Sequence, residues 1–518
     1  MAENYDVVVI GGGAAGLAGA TALARSRRSV LLLDAGDPRN ATAGHVHNFL
    51  TRDGTPPSTL YALGTDEVTG YGGRVEHGRV TGVQRDGDAF RIDTGDRTVT
   101  ARRLLVATGA RDELPDVPGL EARWGVDVLH CPYCHGWEVR DRRIGVLATG
   151  PMAVHQVLLF RQLSNQVTLL QHAGSAPSDE QQEQLAALGV AVVTGTVVKV
   201  DADGDGLTGV SLADGTRIPF DALVVAPTCI ARAELLAPLG VHPVEVRVGD
   251  HVLGTQVEAD PTGATTAPGV WVAGNIANIQ AQVISSAAAG LAAGAAINAD
   301  LVAADADQAV NAYRYERVFG EDAWEERYRS SAQNWSGNPN AALIAETADL
   351  PPGTALDAGA GEGADACWLA ARGWQVTGVD LSATALDRAA ARAREEGLDV
   401  TWQQLDLTRD PAPKTYDLVS AFFLHLPVAQ RRVAVDHLAA AVAPGGTLLV
   451  VGHDPSDMHS GLHRPGLAET GWTADELAAA LDDGWVVDTC EARPRSAVDC
   501  EGNDVTIHDA VLRAHRTG

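Results

Sequence analysis

Two cysteines three positions apart carry the most reactive groups in this sequence. Cys131 and Cys134 flank a Pro-Tyr pair, and His135 follows directly. Cysteines at this spacing can close a small disulfide, and in an α/β protein they predict redox chemistry. The alternative is that the two cysteines are half of the ligands of a zinc site. No second CxxC or HxxxH lies nearby to supply the other ligands, so we expect no metal. Histidine titrates near neutral pH and can take or return a thiol proton. The predicted catalytic residues are therefore Cys131, Cys134 and His135.

A glycine-rich loop follows the first apolar run of the chain. Its GxGxxG pattern stands between a β-branched run and an alanine-rich, helix-like segment. Gly11 permits a tight turn, Gly13 lets the backbone approach a pyrophosphate, and Gly16 allows the helix to pack against the strand. The next apolar run ends in Asp34, whose carboxylate can accept hydrogen bonds from ribose hydroxyls. The pattern predicts a dinucleotide site, and its binding residues are Gly11, Gly13, Ala14, Ala15, Gly16 and Asp34.

A second strand–turn–helix opening departs from this pattern. Ala148 takes the place of the first glycine, and Pro151 in the turn has no N–H group. The following apolar run ends in Gln171 and His172, so no guanidinium stands where a 2′-phosphate would be held. The pattern argues against NAD(P)H, although a damaged motif does not exclude binding.

A third opening lies in the C-terminal part of the chain. Asp357 ends a strand-like run. Glycines follow at 359, 361 and 363, and a helix-like segment comes next. The glycines bring backbone against a cofactor, and the acid that ends the next run is placed to bind ribose hydroxyls. On this pattern alone, another dinucleotide site is the alternative. The predicted binding residues here are Asp357, Gly359, Gly361, Gly363, Asp380 and, one strand later, Asp406.

Short β-branched runs alternate with alanine-rich stretches along the chain, which predicts α/β domains with parallel sheets. A chain of 518 residues exceeds a single core, so two to four domains are expected. A helix is predicted over 283–301. The sequence changes character after it, and the last domain junction is placed between 303 and 315.

Charge and hydropathy exclude several partners. The net charge of −28 repels phosphate backbones, so nucleic acid is not an expected partner. No apolar run reaches the roughly 18 residues that cross a bilayer, and the start lacks a basic region and a cleavage site. We therefore expect a cytoplasmic protein without membrane contact. The scattered cysteines are expected to be buried apolar residues: Cys229, Cys367, Cys490 and Cys500.

The N-terminal part of the sequence, about residues 4–303, resembles the thioredoxin reductase-like flavoproteins. Besides the first glycine loop, the resemblance rests on a Leu-Leu-Val-Ala-Thr-Gly string and on a later Val-Ala-Gly-Asn string. It implies bound FAD, with Asn48 near the flavin. Asn275 replaces the usual acid and can still bond a ribityl hydroxyl. The resemblance adds these binding residues: Thr108, Gly109, Gly274, Asn275, Gln282 and Val283.

The Cys-Pro-Tyr-Cys-His-Gly string is similar to the dithiol oxidases that close the disulfide of gliotoxin- and holomycin-type metabolites. That resemblance implies that Cys134 lies nearer the flavin and that Cys131 exchanges with substrate. Electrons would then pass from a small-molecule dithiol through the pair and FAD to oxygen. The alternative is a NAD(P)H-dependent disulfide reductase of the thioredoxin reductase type. The resemblance also implies a homodimer.

Residues from about 320 to 515 resemble the class I S-adenosylmethionine-dependent methyltransferases. The resemblance rests on the acid before the glycines, the Leu-Asp-Leu string around Asp406, and a later Pro-Gly-Gly. It implies S-adenosylmethionine as cofactor and places Asp406 against the adenine amine. The Trp324–Trp335 segment is similar to the N-terminal lid of thiol, thiopurine and tellurite methyltransferases, with an ordinary aromatic packing cluster as the alternative. His425 and His453, at predicted strand ends, are candidates for a base or a substrate contact, with a structural role as the alternative.

Together these features predict a two-domain flavin disulfide oxidoreductase followed by a class I methyltransferase, all Rossmann-type α/β folds. The predicted FAD domain is 1–112 with 250–306, and 113–249 is an NAD(P)-binding-like domain that carries the CxxC pair. The predicted methyltransferase domain with its lid is 307–518. We hypothesise that both enzymes act on the thiols of one small molecule: the flavoenzyme oxidises its dithiol to a disulfide, and the methyltransferase methylates its sulfur.

Overall fold

The chain forms two compact units in a computed structural model that describes residues 3–174, 176–204, 206–426, 428–459, 470–498 and 503–518. The N-terminal unit is 1–304 and the C-terminal unit is 305–518. The domain limits given above remain a prediction, because a division into compact units does not define each domain.

The N-terminal unit alternates strands and helices as its apolar runs predict. Its strands are β1 (Glu3–Ile10), β2 (Val30–Asp34), β3 (Arg74–His77), β4 (Gly82–Asp86), β5 (Ala89–Asp93), β6 (Thr98–Val106), β7 (Ala110–Glu113), β8 (Val128–Leu129), β9 (Ile144–Leu147), β10 (Val167–Gln171), β11 (Ala191–Thr194), β12 (Val197–Asp203), β13 (Gly206–Leu212), β14 (Arg217–Pro219), β15 (Ala222–Val225), β16 (Thr228–Ala231), β17 (Pro243–Val248), β18 (His251–Val257) and β19 (Val270–Val272). Its helices are α1 (Ala14–Arg25), α2 (Pro57–Gly70), α3 (Leu120–Arg123), α4 (Pro132–His135), α5 (Ala153–Arg161) and α6 (Asp179–Ala187), with 3₁₀ turns at Glu234–Leu239 and Gly274–Ile276.

The first sheet has the order β3-β2-β1-β6-β5-β4, with β19 paired to β6. Strands β1, β2, β6 and β19 run parallel, with Ile10 level with Leu33 and Val106. The central strands are buried on both faces, which is why they read as continuous apolar runs. Their carboxyl ends meet at one edge, where the first glycine loop begins.

A second parallel sheet has the order β11-β10-β9-β15-β8. Strand β8 leads into α4, the single helical turn that carries the CxxC pair. Two smaller sheets, β12-β13-β14 and β17-β18-β16-β7, complete the unit.

The C-terminal unit holds one sheet of order β22-β21-β20-β23-β24-β26-β25, parallel up to β24 and antiparallel at β26 and β25. Its strands are β20 (Thr354–Ala358), β21 (Gln375–Asp380), β22 (Val400–Gln404), β23 (Tyr416–Phe422), β24 (Val442–His453), β25 (Trp485–Val498) and β26 (Asp504–Arg516). Its helices are α8 (Glu321–Ser330), α9 (Ala341–Glu346), α10 (Ala364–Ala370), α11 (Ala383–Glu395), α12 (Val428–Ala440) and α13 (Ala474–Ala479), with a 3₁₀ turn at Pro455–His459. The predicted α/β class with parallel sheets is confirmed in both units.

A long alanine-rich helix, α7 (Val283–Phe319), begins in the N-terminal unit and ends in the C-terminal one. Within the first unit it packs against α1, where a Cβ on Gly290 would lie 1.9 Å from the Ala15 carbonyl oxygen. The helix is long and apolar enough to cross a membrane, with a window of mean hydropathy 1.5. A core helix passes the same test, and Ala293 and Ile297 are fully buried against the first sheet. One such helix is weak evidence for a span.

The scattered cysteines follow the prediction only in part. Cys229 and Cys367 are buried, as predicted. Cys490 is exposed on β25, so its predicted burial is wrong: this strand forms the edge of the sheet, and the Cys490 thiol donates to the Asp475 carboxylate of α13 at 3.4 Å. Cys500 lies outside the described residues.

Candidate active sites

The first glycine loop has the geometry of a pyrophosphate cradle. Gly11 adopts a φ of 110°, and a Cβ there would lie 2.4 Å from the Ala107 carbonyl oxygen. A Cβ on Gly16 would lie 1.8 Å from the Gly11 oxygen, so both glycines are required by packing. A Cβ on Gly13 would meet nothing within 4 Å. The open space lies at the N-terminus of α1, where backbone N–H groups favour an anion.

A cavity of about 980 Å³ extends from this loop to the cysteine pair. Gly16 lies behind the loop and does not line the cavity. Asp34 lies at the end of β2, and its Oδ1 accepts a hydrogen bond from the Gly12 N–H at 3.0 Å. The predicted FAD-binding residues that line the cavity are Gly11, Gly13, Ala14, Ala15, Asp34, Thr108, Gly109, Gly274, Asn275, Gln282 and Val283.

Two asparagines take specific positions around this cavity. The Asn275 amide nitrogen donates to the carbonyls of Asn278 (3.0 Å) and Ala281 (2.9 Å), which leaves the side-chain oxygen as an acceptor for a ligand hydroxyl. Asn48 adopts a φ of 59°, and its amide donates to the Tyr133 carbonyl at 2.8 Å. Asn48 therefore contacts the turn between the two cysteines. The open cradle, the acid after β2 and the long cavity fit FAD.

The cysteine pair lies in that cavity with unequal thiols. The two Sγ atoms are 2.7 Å apart, and the Cys134 thiol donates to Cys131. This hydrogen bond, with the backbone N–H groups of Tyr133 and Cys134, lowers the pKa of Cys131 to about 7, against the opposing effect of burial. The same hydrogen bond and burial raise the pKa of Cys134. The reduced pair therefore keeps its proton on Cys134 and presents a thiolate at Cys131.

His135 ends the single turn of α4 beside the pair. Its Nε2 is buried and has no hydrogen-bond partner among the described residues. Burial lowers the pKa of His135, while Glu138 opposes the shift. A neutral imidazole with a vacant nitrogen can accept a thiol proton.

A buried ion pair faces the same cavity and was not predicted. The Arg39 guanidinium donates to both carboxylate oxygens of Asp112, at 2.9 Å from Nε and 2.6 Å from Nη2, and to the Ile279 carbonyl at 3.3 Å. The positive charge of Arg39 favours the thiolate of Cys131. The sequence holds no signal for the pair, because an arginine and an aspartate that lie far apart in the chain form no motif.

The second nucleotide loop is closed, in contrast to the first. Gly150 occupies the position that corresponds to Gly13, and a Cβ there would lie 2.4 Å from Nε2 of His251. The imidazole, carried by β18, fills the place that is open at Gly13. The N–H groups of Ala173 and Gly174 donate back to the Ala148 carbonyl, at 3.2 and 2.8 Å. The chain after β10 thus folds over the end of β9, and these residues do not fit NAD(P)H.

A cavity of about 1310 Å³ opens at the carboxyl ends of the C-terminal sheet. The Asp380 carboxylate accepts hydrogen bonds from the N–H groups of Gly361 (2.8 Å) and Ser382 (2.9 Å), and burial raises its pKa. The Asp406 Oδ1 accepts from the Thr408 N–H at 2.9 Å. The predicted cofactor residues that line this cavity are Gly359, Gly361, Asp380 and Asp406.

Asp357 and Gly363 do not line the cavity. A Cβ on Gly363 would lie 2.7 Å from that of Ala389, so this glycine serves helix packing. Asp357 is buried at the end of β20, burial raises its pKa, and its Oδ2 has no partner among the described residues. The glycine loop with Asp380 and Asp406 at the cavity fits a nucleoside cofactor such as S-adenosylmethionine, with Asp380 placed for the ribose hydroxyls.

The Trp324–Trp335 segment lies over the glycine loop as a lid. Trp324, Tyr328 and Trp335 line the cavity, and the Trp335 Nε1–H donates to the Tyr328 hydroxyl at 2.9 Å. A Cβ on Gly361 would lie 3.0 Å from that hydroxyl. The segment is tied to the fold by Glu325, whose pKa falls to about 2 because the Ser382 and Thr384 hydroxyls donate to it.

Comparison with known proteins agrees with this geometry. The fold and the dithiol site define a flavin-dependent thiol–disulfide oxidoreductase joined to a nucleotide-cofactor transferase. Residues 5–294 match the model of the pyridine nucleotide-disulphide oxidoreductases, over more than half of the chain, and the chain belongs to this family. Residues 355–446 match a methyltransferase domain.

Similar proteins cover the N-terminal part. A thioredoxin reductase of Claviceps purpurea, tcpT, is 30% identical over 319 residues, which are 57% of this chain and 95% of that one. Thioredoxin reductase sirT of Leptosphaeria maculans is 30% identical over 58% of this chain and 95% of its own. The crystal structure of HlmI is 44% identical, with a TM-score of 0.55, over 60% of this chain and 96% of that one.

The predicted combination of two enzymes is therefore confirmed. The chain is a thioredoxin reductase-like oxidoreductase fused to a methyltransferase. Membership of these two families implies FAD and S-adenosylmethionine as the cofactors. The assignment of individual binding and catalytic residues stays a prediction.

Replacing Gly13 with leucine should yield a protein that purifies without yellow colour. The side chain would fill the open space at the loop and block the pyrophosphate from the N-terminus of α1. Flavin content per chain after purification and after incubation with excess FAD measures the effect. Gly70→Leu is the matched control, because that exposed glycine ends α2 with nothing within 4 Å. Normal flavin content in Gly13→Leu would contradict the assignment.

Proposed function

We propose that the N-terminal enzyme oxidises a small-molecule dithiol to its disulfide and delivers the electrons to oxygen. The observation that carries this proposal is the filled loop at Gly150, where the His251 imidazole occupies the place of a dinucleotide phosphate. A loop that is filled in this way does not fit NAD(P)H as the electron donor, and we propose the dithiol as the electron source.

The residues around the pair supply the remaining steps. A substrate thiol gives its proton to His135 and attacks Cys131 of the oxidised pair as a thiolate. The Cys131–Cys134 bond breaks, and Cys134 leaves as a thiolate that takes this proton back from His135. The second substrate thiolate attacks the mixed disulfide, which releases the cyclic disulfide and leaves the enzyme with two thiols. The Cys131/Cys134 pair would return to its disulfide by giving up two electrons and two protons; FAD, held at the Gly11–Gly13 loop, would supply the route of those electrons to oxygen, which is reduced to peroxide. Exposed Tyr133 and Trp137 flank this turn as apolar contacts for a substrate.

We infer that the C-terminal enzyme methylates a small-molecule thiol, and that both enzymes act on one compound. The support is a large cavity under the aromatic Trp324–Trp335 segment, next to the predicted cofactor loop. A methyltransferase that modifies only oxygen or nitrogen acceptors, in a panel with small dithiols, would refute the shared substrate. We place the enzyme in the cytoplasm as a homodimer, to which exposed apolar residues of α7 such as Ile284 and Leu291 contribute.

Dithiothreitol should bleach the flavin of the full chain under nitrogen, and air should restore the colour with release of one peroxide per disulfide. NADPH and NADH, added in the same anaerobic cuvette, should leave the spectrum unchanged because the second loop is filled. Absorbance spectra and a peroxide assay measure both arms. Rapid bleaching by stoichiometric NADPH, with no response to dithiols, would establish the reductase direction instead.

The disulfide reductase remains the second candidate. What favours it is that β9, α5 and β10 keep the strand–helix–strand arrangement of a nucleotide-binding domain. The anaerobic bleaching experiment with dithiothreitol and NADPH decides between dithiol oxidation and disulfide reduction.

A further inference from the structure

We propose that five rings in the C-terminal cavity form the methyl-acceptor subsite, that it takes a planar thiol, and that His425 accepts the thiol proton. The inference rests on the proposed thiol-methylating function. We call these rings the aromatic wall; its members are Phe319, Trp324, Phe423, His425 and His453, and all of them line the cavity.

The wall is continuous, with His425 at its centre. The His425 ring stacks on Phe319 with centroids 4.9 Å apart and planes at 9°. Trp324 lies 5.8 Å from it, and His453 meets it edge-on at 5.7 Å. Phe423 packs against His453 at 4.6 Å. A flat ligand can stack on such a surface, whereas an aliphatic chain gains less from it.

The position of the wall is that of an acceptor site. Phe423 and His425 follow β23, and His453 ends β24, at the same sheet edge as Gly359 and Asp380. Ligands of parallel α/β sheets bind at the carboxyl ends of the strands. The cofactor loop and the wall therefore face one cavity from adjacent strands.

The backbone at the wall is strained, which points to a functional site. Phe423 has a φ of 51°, a conformation that costs energy in any residue other than glycine. Its N–H donates to the Val451 carbonyl at 2.7 Å, and this bond ties the turn to β24. The Tyr315 hydroxyl donates to the His425 carbonyl at 2.6 Å. These contacts fix the turn that carries His425 into the lining of the cavity.

A histidine at this place fits the chemistry of a thiol. A small thiol has a pKa of about 8.5 and is mostly protonated near neutral pH, and only the thiolate is a good nucleophile. The proton passes from sulfur to a His425 ring nitrogen, and the thiolate attacks the methyl carbon of the sulfonium. A new C–S bond forms, the bond to the sulfonium sulfur breaks with its electron pair, and S-adenosylhomocysteine leaves. His425 then gives its proton to water.

Other ionisable groups also face this cavity from the elements around His425. Arg495 and Asp509 pair with each other at 2.7 Å and leave no net charge at the wall. The others are Tyr313, Tyr315, Glu316 and Arg317 on α7, Glu321, Asp322 and Tyr328 on α8, Glu362 and Asp365 after β20, Asp380 on β21, Asp406 and Arg409 after β22, and His453 on β24.

The test compares two planar thiols of different acidity on the full chain. Phenylmethanethiol is protonated at neutral pH and needs a base, whereas 4-nitrothiophenol is already ionised. His425→Asn should lower kcat/KM about 100-fold for phenylmethanethiol, the usual contribution of a general base, and change it little for 4-nitrothiophenol. His515→Asn, near the end of β26 with a half-exposed side chain outside the cavity, is the matched control and should leave both rates unchanged.

Further measurements separate the possible failures. Quenching of tryptophan fluorescence by either thiol, without S-adenosylmethionine, should be retained in His425→Asn, because Trp324 and the other three rings of the wall remain; this shows that the variant still folds and binds the acceptor. Equal losses of kcat/KM for the two thiols would overturn the proton-accepting role. Faster methylation of an aliphatic thiol than of phenylmethanethiol by the unchanged enzyme would overturn the planar acceptor. Methylation of no thiol at all by the unchanged enzyme would overturn the proposed function and this inference with it.

Discussion

Cys134→Ser should abolish the bleaching of the flavin by dithiols under nitrogen. The substrate can still exchange with Cys131, but the pair can no longer form a disulfide, so two electrons have no path from the substrate to FAD. Cys134 is half-buried, like Cys131, and its thiol donates to Cys131 with 2.7 Å between the sulfur atoms. Flavin absorbance after addition of excess dithiothreitol measures the loss, and we expect no bleaching over the time in which the unchanged enzyme bleaches completely.

Two controls belong to this experiment. Cys229→Ser changes a buried cysteine that lines the same cavity outside the pair, and it should bleach normally. In Cys134→Ser the hydroxyl can still donate to Cys131, and the backbone N–H groups of the turn remain, so the pKa of the Cys131 thiol should stay below that of an ordinary cysteine. The thiolate fraction rises with pH, so the rate of alkylation, measured against pH, gives this pKa. Bleaching of Cys134→Ser at the rate of the unchanged enzyme would disprove the role of the pair.

Asp380→Ala should weaken the binding of S-adenosylmethionine about 10- to 100-fold. The carboxylate lies in the cavity and is aligned by the N–H groups of Gly361 and Ser382. Losing a charged acceptor for the ribose hydroxyls costs about 1.5–3 kcal/mol, which is one to two orders of magnitude in Kd. Calorimetric titration of the full chain measures the change.

The matched control for that substitution is Asp387→Ala, an exposed aspartate of α11 that does not line the cavity. It should bind the cofactor normally. Bleaching of the flavin by dithiols should be unchanged in Asp380→Ala, because the flavin site belongs to the other unit. An unaltered Kd in Asp380→Ala would show that the cofactor does not use this acid.

The sites built from local pattern were predictable from the sequence. Gly11, Gly13 and Asp34 lie one after another around a single strand–turn–helix, so their order along the chain fixes their arrangement in space. The same holds for Gly359 and Asp380 in the second unit. The parallel sheets followed from apolar runs that are buried on both faces.

The features that the sequence did not reveal are contacts between distant segments. Arg39 contacts Asp112 only because the turn after β2 and strand β7 lie side by side. The separation of the two residues along the chain does not predict such an ion pair. His251 fills the space at Gly150 from another sheet. The altered glycine pattern indicated that the loop is unsuited to a dinucleotide, but it did not show that a histidine fills this space. Asp357 and Gly363 belong to the cofactor motif by pattern, but packing takes both away from the cavity.

The contact between Gly290 and Ala15 matters for anyone who wishes to engineer this flavoprotein. With 1.9 Å between a notional Cβ and the Ala15 oxygen, α7 supports α1 from behind, directly opposite the cradle for the pyrophosphate. A methyl group there would push the two helices apart and shift the loop, even though no ligand reaches the position. We therefore expect retention of the cofactor to depend partly on Gly290, a helix residue that does not line the cavity. A library restricted to cavity residues would miss this determinant, and random mutagenesis would find it as an unexplained loss of colour.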